Sequence, residues 1–262
     1  MFRLWSMEMK RAYGGMRFLL SVLLVSLLYI IGGTDRMSQA CISHTMSHVG
    51  DVLGDAQLAP WAELLPVLAL LPYGASLCED LAQKYHQAII LRSGYRKYIA
   101  VKAIVACIAS GGVLALGEML FLVVMSLLRA ALPAAPEAYF SCEAYLKAWA
   151  DGGQWLPYFA FFVWLQFLYG MIWGAEAVFV SVWTRDRALV YASPLLTSSL
   201  LNIIYNLFGW AGVYGVSIGI TRQRSSVVLP ILMQLTGQLL LPTLTLLLVY
   251  FLLMQRRLER DA

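Results

Sequence analysis

Apolar residues fall along this chain in long blocks rather than at isolated periodic positions. Six blocks, at about 17–33, 61–78, 99–128, 157–183, 188–209 and 230–254, each approach or exceed the ~20 residues an α-helix needs to cross a ~30 Å hydrocarbon layer. They predict six transmembrane helices, and an even count puts both chain ends on one side. The third block is long enough to tilt or to project beyond the bilayer. Ahead of the first block, MFRLWSMEMKRAYGGM places Phe2, Trp5, Met9, Ala12 or Tyr13, and Met16 on one helical stripe, with Arg3, Ser6 and Lys10 elsewhere. Residues 1–16 therefore read as an interfacial amphipathic helix, its apolar side in the membrane and its basic side toward the headgroups. Phe18 to Ile31, following a basic start, imitates a secretory signal. The preceding segment is a helix of its own, however, and many apolar blocks follow.

Composition agrees with lipid as the solvent. Of 262 residues, 60% are hydrophobic and 13% charged, about half the ~25% charged share of a soluble domain. The expected fold class is an all-α polytopic membrane protein, a single transmembrane domain over 1–262. The net charge of +4 matters less than where the positive residues sit. Arg3, Lys10, Arg11, Arg17, Lys84, Arg92, Arg96, Lys97, Lys102, Arg185, Arg187, Arg256, Arg257 and Arg260 fall on one side; Arg36, Arg129, Lys147, Arg222 and Arg224 fall on the other. The positive-inside rule then puts both termini in the cytoplasm, in a multi-pass protein of the cell membrane. No nucleic-acid partner is implied.

The outer connections, about 34–60, 129–156 and 210–229, are too small for a separate ligand-binding domain. The second holds a short amphipathic helix after Pro133 and Pro136, closed by Gly152 and Gly153. Cys41 and Cys142 lie in different outer connections, where disulfides persist, so a bridge between them is a candidate. Cys78 and Cys107, in apolar segments, read as packing residues.

Catalytic signatures are missing. There is no GxxxxGK[ST], whose backbone N–H groups would cradle phosphates, and no HExxH, GxSxG or dinucleotide fingerprint. His44 and His48 could share a helical face, but two ligands do not make a metal site. Three features inside the apolar blocks stand out. Glu118 and Glu176 each cost ~2.5–3.5 kcal/mol if charged and lipid-facing, so each should face protein or water. Lys102 and Glu176 are expected to pair between the third and fourth spans, whereas Glu118, nearer the outer half, is expected protonated or in a wet cavity. Ser198, Asn202, Tyr205 and Asn206 form a polar stripe on the fifth span; interhelical hydrogen bonds worth ~0.6 kcal/mol each or a substrate path both account for it.

The connection CEDLAQKYHQAIILRSGYRKYIAVK carries the most information. Glu79 and Asp80 open a helix, Gly94 interrupts it, and a basic cluster leads into the next span. With Tyr85, the LRSG turn of Leu91 to Gly94, Tyr98 and Lys102, this segment resembles the corresponding loop of type-2 ABC exporter permeases, the ABC-2 transporter membrane protein family, in its small Gram-positive peptide-export and lantibiotic-immunity branch. The resemblance spans nearly the whole layout. It implies that residues 79–98 hold a coupling helix docking on a separate ATPase subunit through Glu79, Asp80, Leu81, Tyr85, His86 and Ile89, and that 210–229 is an outer re-entrant element. It further implies a second permease, identical or related, and an exported amphipathic or hydrophobic peptide or a lipid. The chain itself would bind no cofactor, ATP and magnesium residing on the partner, and would be no enzyme. The alternatives are an intramembrane enzyme acting on lipid or prenylated protein, and a non-transporting membrane sensor or immunity protein.

Overall fold

The structure, a computed structural model, describes residues 2–35, 37–38, 49–131, 155–208 and 228–261. Every regular element among them is helical. In chain order they are α1 (Phe2–Tyr13), α2 (Met16–Gly32), α3 (Val49–Leu58), a 3₁₀ turn (Pro60–Leu64), α4 (Leu65–Leu70), α5 (Ser76–Ala82), α6 (Tyr85–Ser93), α7 (Tyr95–Ala131), α8 (Trp155–Trp183), α9 (Arg187–Phe208) and α10 (Val228–Asp261).

Three helices among the described residues are long and apolar enough to cross a bilayer: Tyr95–Leu128, Leu156–Trp183 and Thr236–Arg256. A fourth crossing is available if α1 and α2, bent by 50° at Gly14 and Gly15, count together. Alone, the 17 residues of α2 span only about 25 Å at 1.5 Å per residue. This is a helical protein embedded in a membrane, with fewer continuous spans among the described residues than the six hydropathy blocks. The block at 61–78 is where the expectation fails, because it is broken into the 3₁₀ turn, α4, a turn and the start of α5. Pro60, Pro66 and Pro72 explain the break: each lacks an N–H, and Pro60 and Pro66 restart helices in the first turn. The block at 188–209 does form a helix, α9, with Pro194 inside it.

The central seam joins α7 to α8. Gly170 and Gly174 face α7 so closely that a Cβ on Gly174 would stand 2.6 Å from the Ala106 carbonyl oxygen, and one on Gly170 would stand 2.7 Å from Gly111 Cα. Small residues four apart let two backbones approach where lipid supplies no hydrophobic drive between helices. On α2 the two faces separate cleanly. Phe18, Ser21, Val25 and Tyr29 are buried with α7, while Leu19, Leu20, Leu23, Leu27 and Ile31 are exposed. Helix α10 does the same, with Leu239, Thr243, Tyr250 and Met254 inward and Leu241, Leu244, Leu248 and Leu252 outward. Outward leucine ridges of this kind suit acyl chains.

Helix α1 corrects the sequence reading of its stripe. Trp5, Met9, Ala12 and Tyr13 do not lie open to the membrane; they pack with Leu4 on a core built from Tyr73, Leu77, Tyr98, Val101 and Val105. Met16, assigned to the same stripe, belongs to α2 and is 72% exposed. Glu8 lies within the inward face and is itself buried.

Candidate functional site

Glu8 is the buried end of an ionic chain that gathers four helices. On α7, Tyr98 and Lys102 are four residues apart and so share a face. On α1, Glu8 and Arg11 are three apart and do likewise. Asp80 on α5 sits between these two faces. Lys102 Nζ lies 2.6 Å from Asp80 Oδ2 and 3.0 Å from Glu8 Oε2. The Tyr98 hydroxyl donates to Asp80 Oδ2 at 3.0 Å and the Tyr73 hydroxyl donates to Glu8 Oε2 at 2.6 Å. Arg11 reaches Asp80 Oδ1 at 2.9 Å and Glu79 Oε2 at 3.1 Å, and Arg187, at the start of α9, holds Glu79 Oε1 at 3.2 Å. The sequence Glu8, Lys102, Asp80, Arg11, Glu79, Arg187 thus alternates in sign and sums to zero.

Burial makes this arrangement consequential. Lys102 is 0% exposed, Glu8 1% and Asp80 2%, and each desolvated ion costs several kcal/mol unless matched by partners. The rings of Tyr73 and Tyr98 add cation–π faces, 5.2 and 5.9 Å from Lys102 Nζ. Burial alone would raise the Asp80 carboxyl, but Lys102 and Arg11 outweigh it and hold it below the ordinary carboxylate range. Every charge in the site is paired, although Glu8 Oε1 completes no hydrogen bond among the described residues, and its chemistry is attachment.

The predicted pair of Lys102 with Glu176 is not formed. Lys102 is taken by Glu8 and Asp80, and Glu176 Oε1 instead accepts from the Thr197 hydroxyl at 2.6 Å. The reason is angular. Gly170, Gly174 and Val178 form the side of α8 that meets α7, and Glu176 lies on the opposite side, toward α9. Glu118 is fully enclosed by protein, with Tyr29 and Gln57 as polar neighbours, and neither carboxylate oxygen completes a hydrogen bond among the described residues. Tyr29 is itself held by Gln166 Nε2 at 2.6 Å.

Of the six residues expected to face a partner, Asp80, Leu81, His86 and Ile89 are buried and Glu79 is largely covered, while Tyr85 is 48% exposed. His86 Nδ1 turns back to the Asp80 carbonyl at 3.2 Å. The outward side of α6 consists of Tyr85, Gln87, Ala88, Leu91 and Arg92, with Leu91 89% exposed. Between α6 and α1 runs a groove of about 640 Å³ bordered by Arg3, Met7, Tyr85, Arg92 and Lys97. Both ends of α6 are set by left-handed residues, Lys84 with φ 57° and Gly94 with φ 80°.

Ser198 is satisfied by its own helix, donating to the Leu195 carbonyl at 3.1 Å. Asn202, Tyr205 and Asn206 lie on α9, but their side chains are outside the described residues, as are Cys41, Cys142, His44 and His48. The element at 210–229 is outside too, except for its last two residues, which begin α10. Cys78 and Cys107 are free and buried. Among the described residues no group of three or more His, Cys, Asp or Glu is placed to hold a metal ion. Sequence reasoning missed Glu8, Arg11, Tyr73 and Arg187 as members of the network; the one available signal was a lone acid on the inward face of a basic helix. No family model matches the chain, and neither a curated protein nor a solved structure matches it.

Proposed function

We propose that the chain is the membrane-spanning permease subunit of an ATP-driven exporter of the ABC-2 type, with cytoplasmic termini and six crossings, the second made by the broken segment after Pro60 rather than by one continuous helix. It moves an amphipathic or hydrophobic peptide, or a lipid, and takes its power from a separate ATPase subunit. The observation that carries this reading is the mounting of α6. A nine-residue helix presents Tyr85, Ala88, Leu91 and Arg92 outward, while the helix before it is clamped by ions to α1 and α7. An exposed leucine beside an aromatic ring, with Arg3, Arg92 and Lys97 along the adjoining groove, suits a partner surface with an apolar pocket and acidic rim. A push on such a helix passes through Asp80 to Lys102 and so to α7, which lies in the central seam; movement there alters the path enclosed by two permease units.

The test is co-purification in mild detergent from the native host. An ATPase carrying the GxxxxGK[ST] string accompanies the wild-type chain, and Leu91→Glu reduces its retention at least about tenfold, the weight of an interface anchor, with unchanged thermal stability of the permease. A stable permease preparation with no ATPase overturns the reading.

A further inference from the structure

Two cavities flank Arg17, just past the bend between α1 and α2. One, of about 360 Å³, is bordered by Arg11, Met16, Tyr73 and Ser76; the other, of about 350 Å³, is bordered by Leu20, Leu24, Leu71 and Arg187; both include Arg17, Glu79 and Tyr191. We propose that this is a binding site for a monoanionic glycerophospholipid, its phosphodiester on Arg17 and one acyl chain along α2. The inference requires only a membrane-embedded protein and is independent of the transport reading.

Three observations carry it. The first is charge. Arg11 and Arg187 are already engaged by Glu79 and Asp80, whereas no described carboxylate pairs with Arg17, so the site has one positive charge in excess. A phosphodiester with one negative charge balances it. A zwitterionic headgroup brings a cation as well and does not. The second is polarity along the helix. Arg17, Leu20 and Leu24 follow one another on a single side of α2, and Arg17 to Leu24 covers about 10 Å at 1.5 Å per residue. A charged end thus grades into an aliphatic wall completed by Leu71. Leu20 and Leu24 are exposed, so a chain can enter sideways from the bilayer. The third is hydrogen bonding. Glu79 and Tyr191 line both cavities, and their side chains supply an acceptor and a donor suited to a headgroup that itself carries hydroxyls. A glycerol headgroup meets all three conditions.

The experiment places the full-length purified protein in bilayer nanodiscs containing equal phosphatidylglycerol and phosphatidylcholine, then measures by native mass spectrometry the lipid still held after detergent extraction. Wild type retains phosphatidylglycerol in preference. Arg17→Gln lowers that retention about fivefold, the weight of one arginine at an anionic surface; Arg17→Lys retains most of it; and Lys10→Gln, which removes an exposed charge from α1 outside both cavities, changes nothing. Equal retention by Arg17→Gln and wild type overturns the proposal. So does an equal loss in Lys10→Gln, which would mean attraction to the whole basic surface. Complete displacement by soluble glycerol phosphate also overturns it, since the acyl chain would then contribute nothing.

Discussion

Lys102 and Glu118 occupy the same helix, roughly 24 Å apart at 1.5 Å per residue, and both are fully buried. Their surroundings are opposite. Around Lys102 two carboxylates and two aromatic rings converge, whereas the polar neighbours of Glu118 among the described residues are the neutral Tyr29 and Gln57. The polar end of the bundle is held by matched full charges. Its middle tolerates a single carboxyl group without a counter-charge. The difference is that removing one ion at the first location strands others, whereas at the second it strands none.

That contrast is most severely tested by Lys102→Met, which leaves Glu8 and Asp80 buried without their shared cation. A loss of about 3–5 kcal/mol is expected, read as a large drop in thermal midpoint in detergent, with partial recovery when Asp80→Asn is added. A smaller effect follows from acidification. The Asp80 carboxyl is lowered in the folded protein, so its contribution is fully present above the ordinary value of 3.8 and is lost as pH falls below it through the folded value. Midpoints should therefore be flat in this respect from neutral pH down to about that value and decline beneath it. Asp80→Asn, already destabilised, should show a shallower decline. The smallest change is expected from Glu118→Gln, within about 1 kcal/mol of wild type, because an amide can pair with the same neutral neighbours. A cost comparable to that of Lys102→Met would erase the distinction between the two sites.

Much of the bundle was legible in the sequence. The blocks at 99–128, 157–183 and 230–254 correspond closely to α7, α8 and α10, since hydropathy over such lengths leaves little choice of solvent. The block at 61–78 was misread because a hydropathy window counts Pro66 and Pro72 as mildly polar residues and not as missing hydrogen bonds. The network was harder. Lys102, inside an apolar block, needs a partner, and the sequence points to one on a neighbouring span, whereas Glu8 lies 94 residues away in the chain. No local pattern encodes such a pairing. The seam of Gly170 and Gly174 was visible as two glycines four apart, and its role depends on which side of α8 meets α7, which composition does not reveal.

The left-handed residues at Lys84 and Gly94 give α6 a character unlike the rest of the bundle. Each reverses the chain locally, so the helix between them inherits no direction from α5 or α7. Its outward face is the replaceable part: Tyr85, Gln87, Ala88, Leu91 and Arg92 can be exchanged between the same two joints, while His86 and Ile89 stay buried. Divergence of this surface therefore has an inexpensive route, through exchange of those outward positions alone, while the ionic clamp behind them stays unchanged.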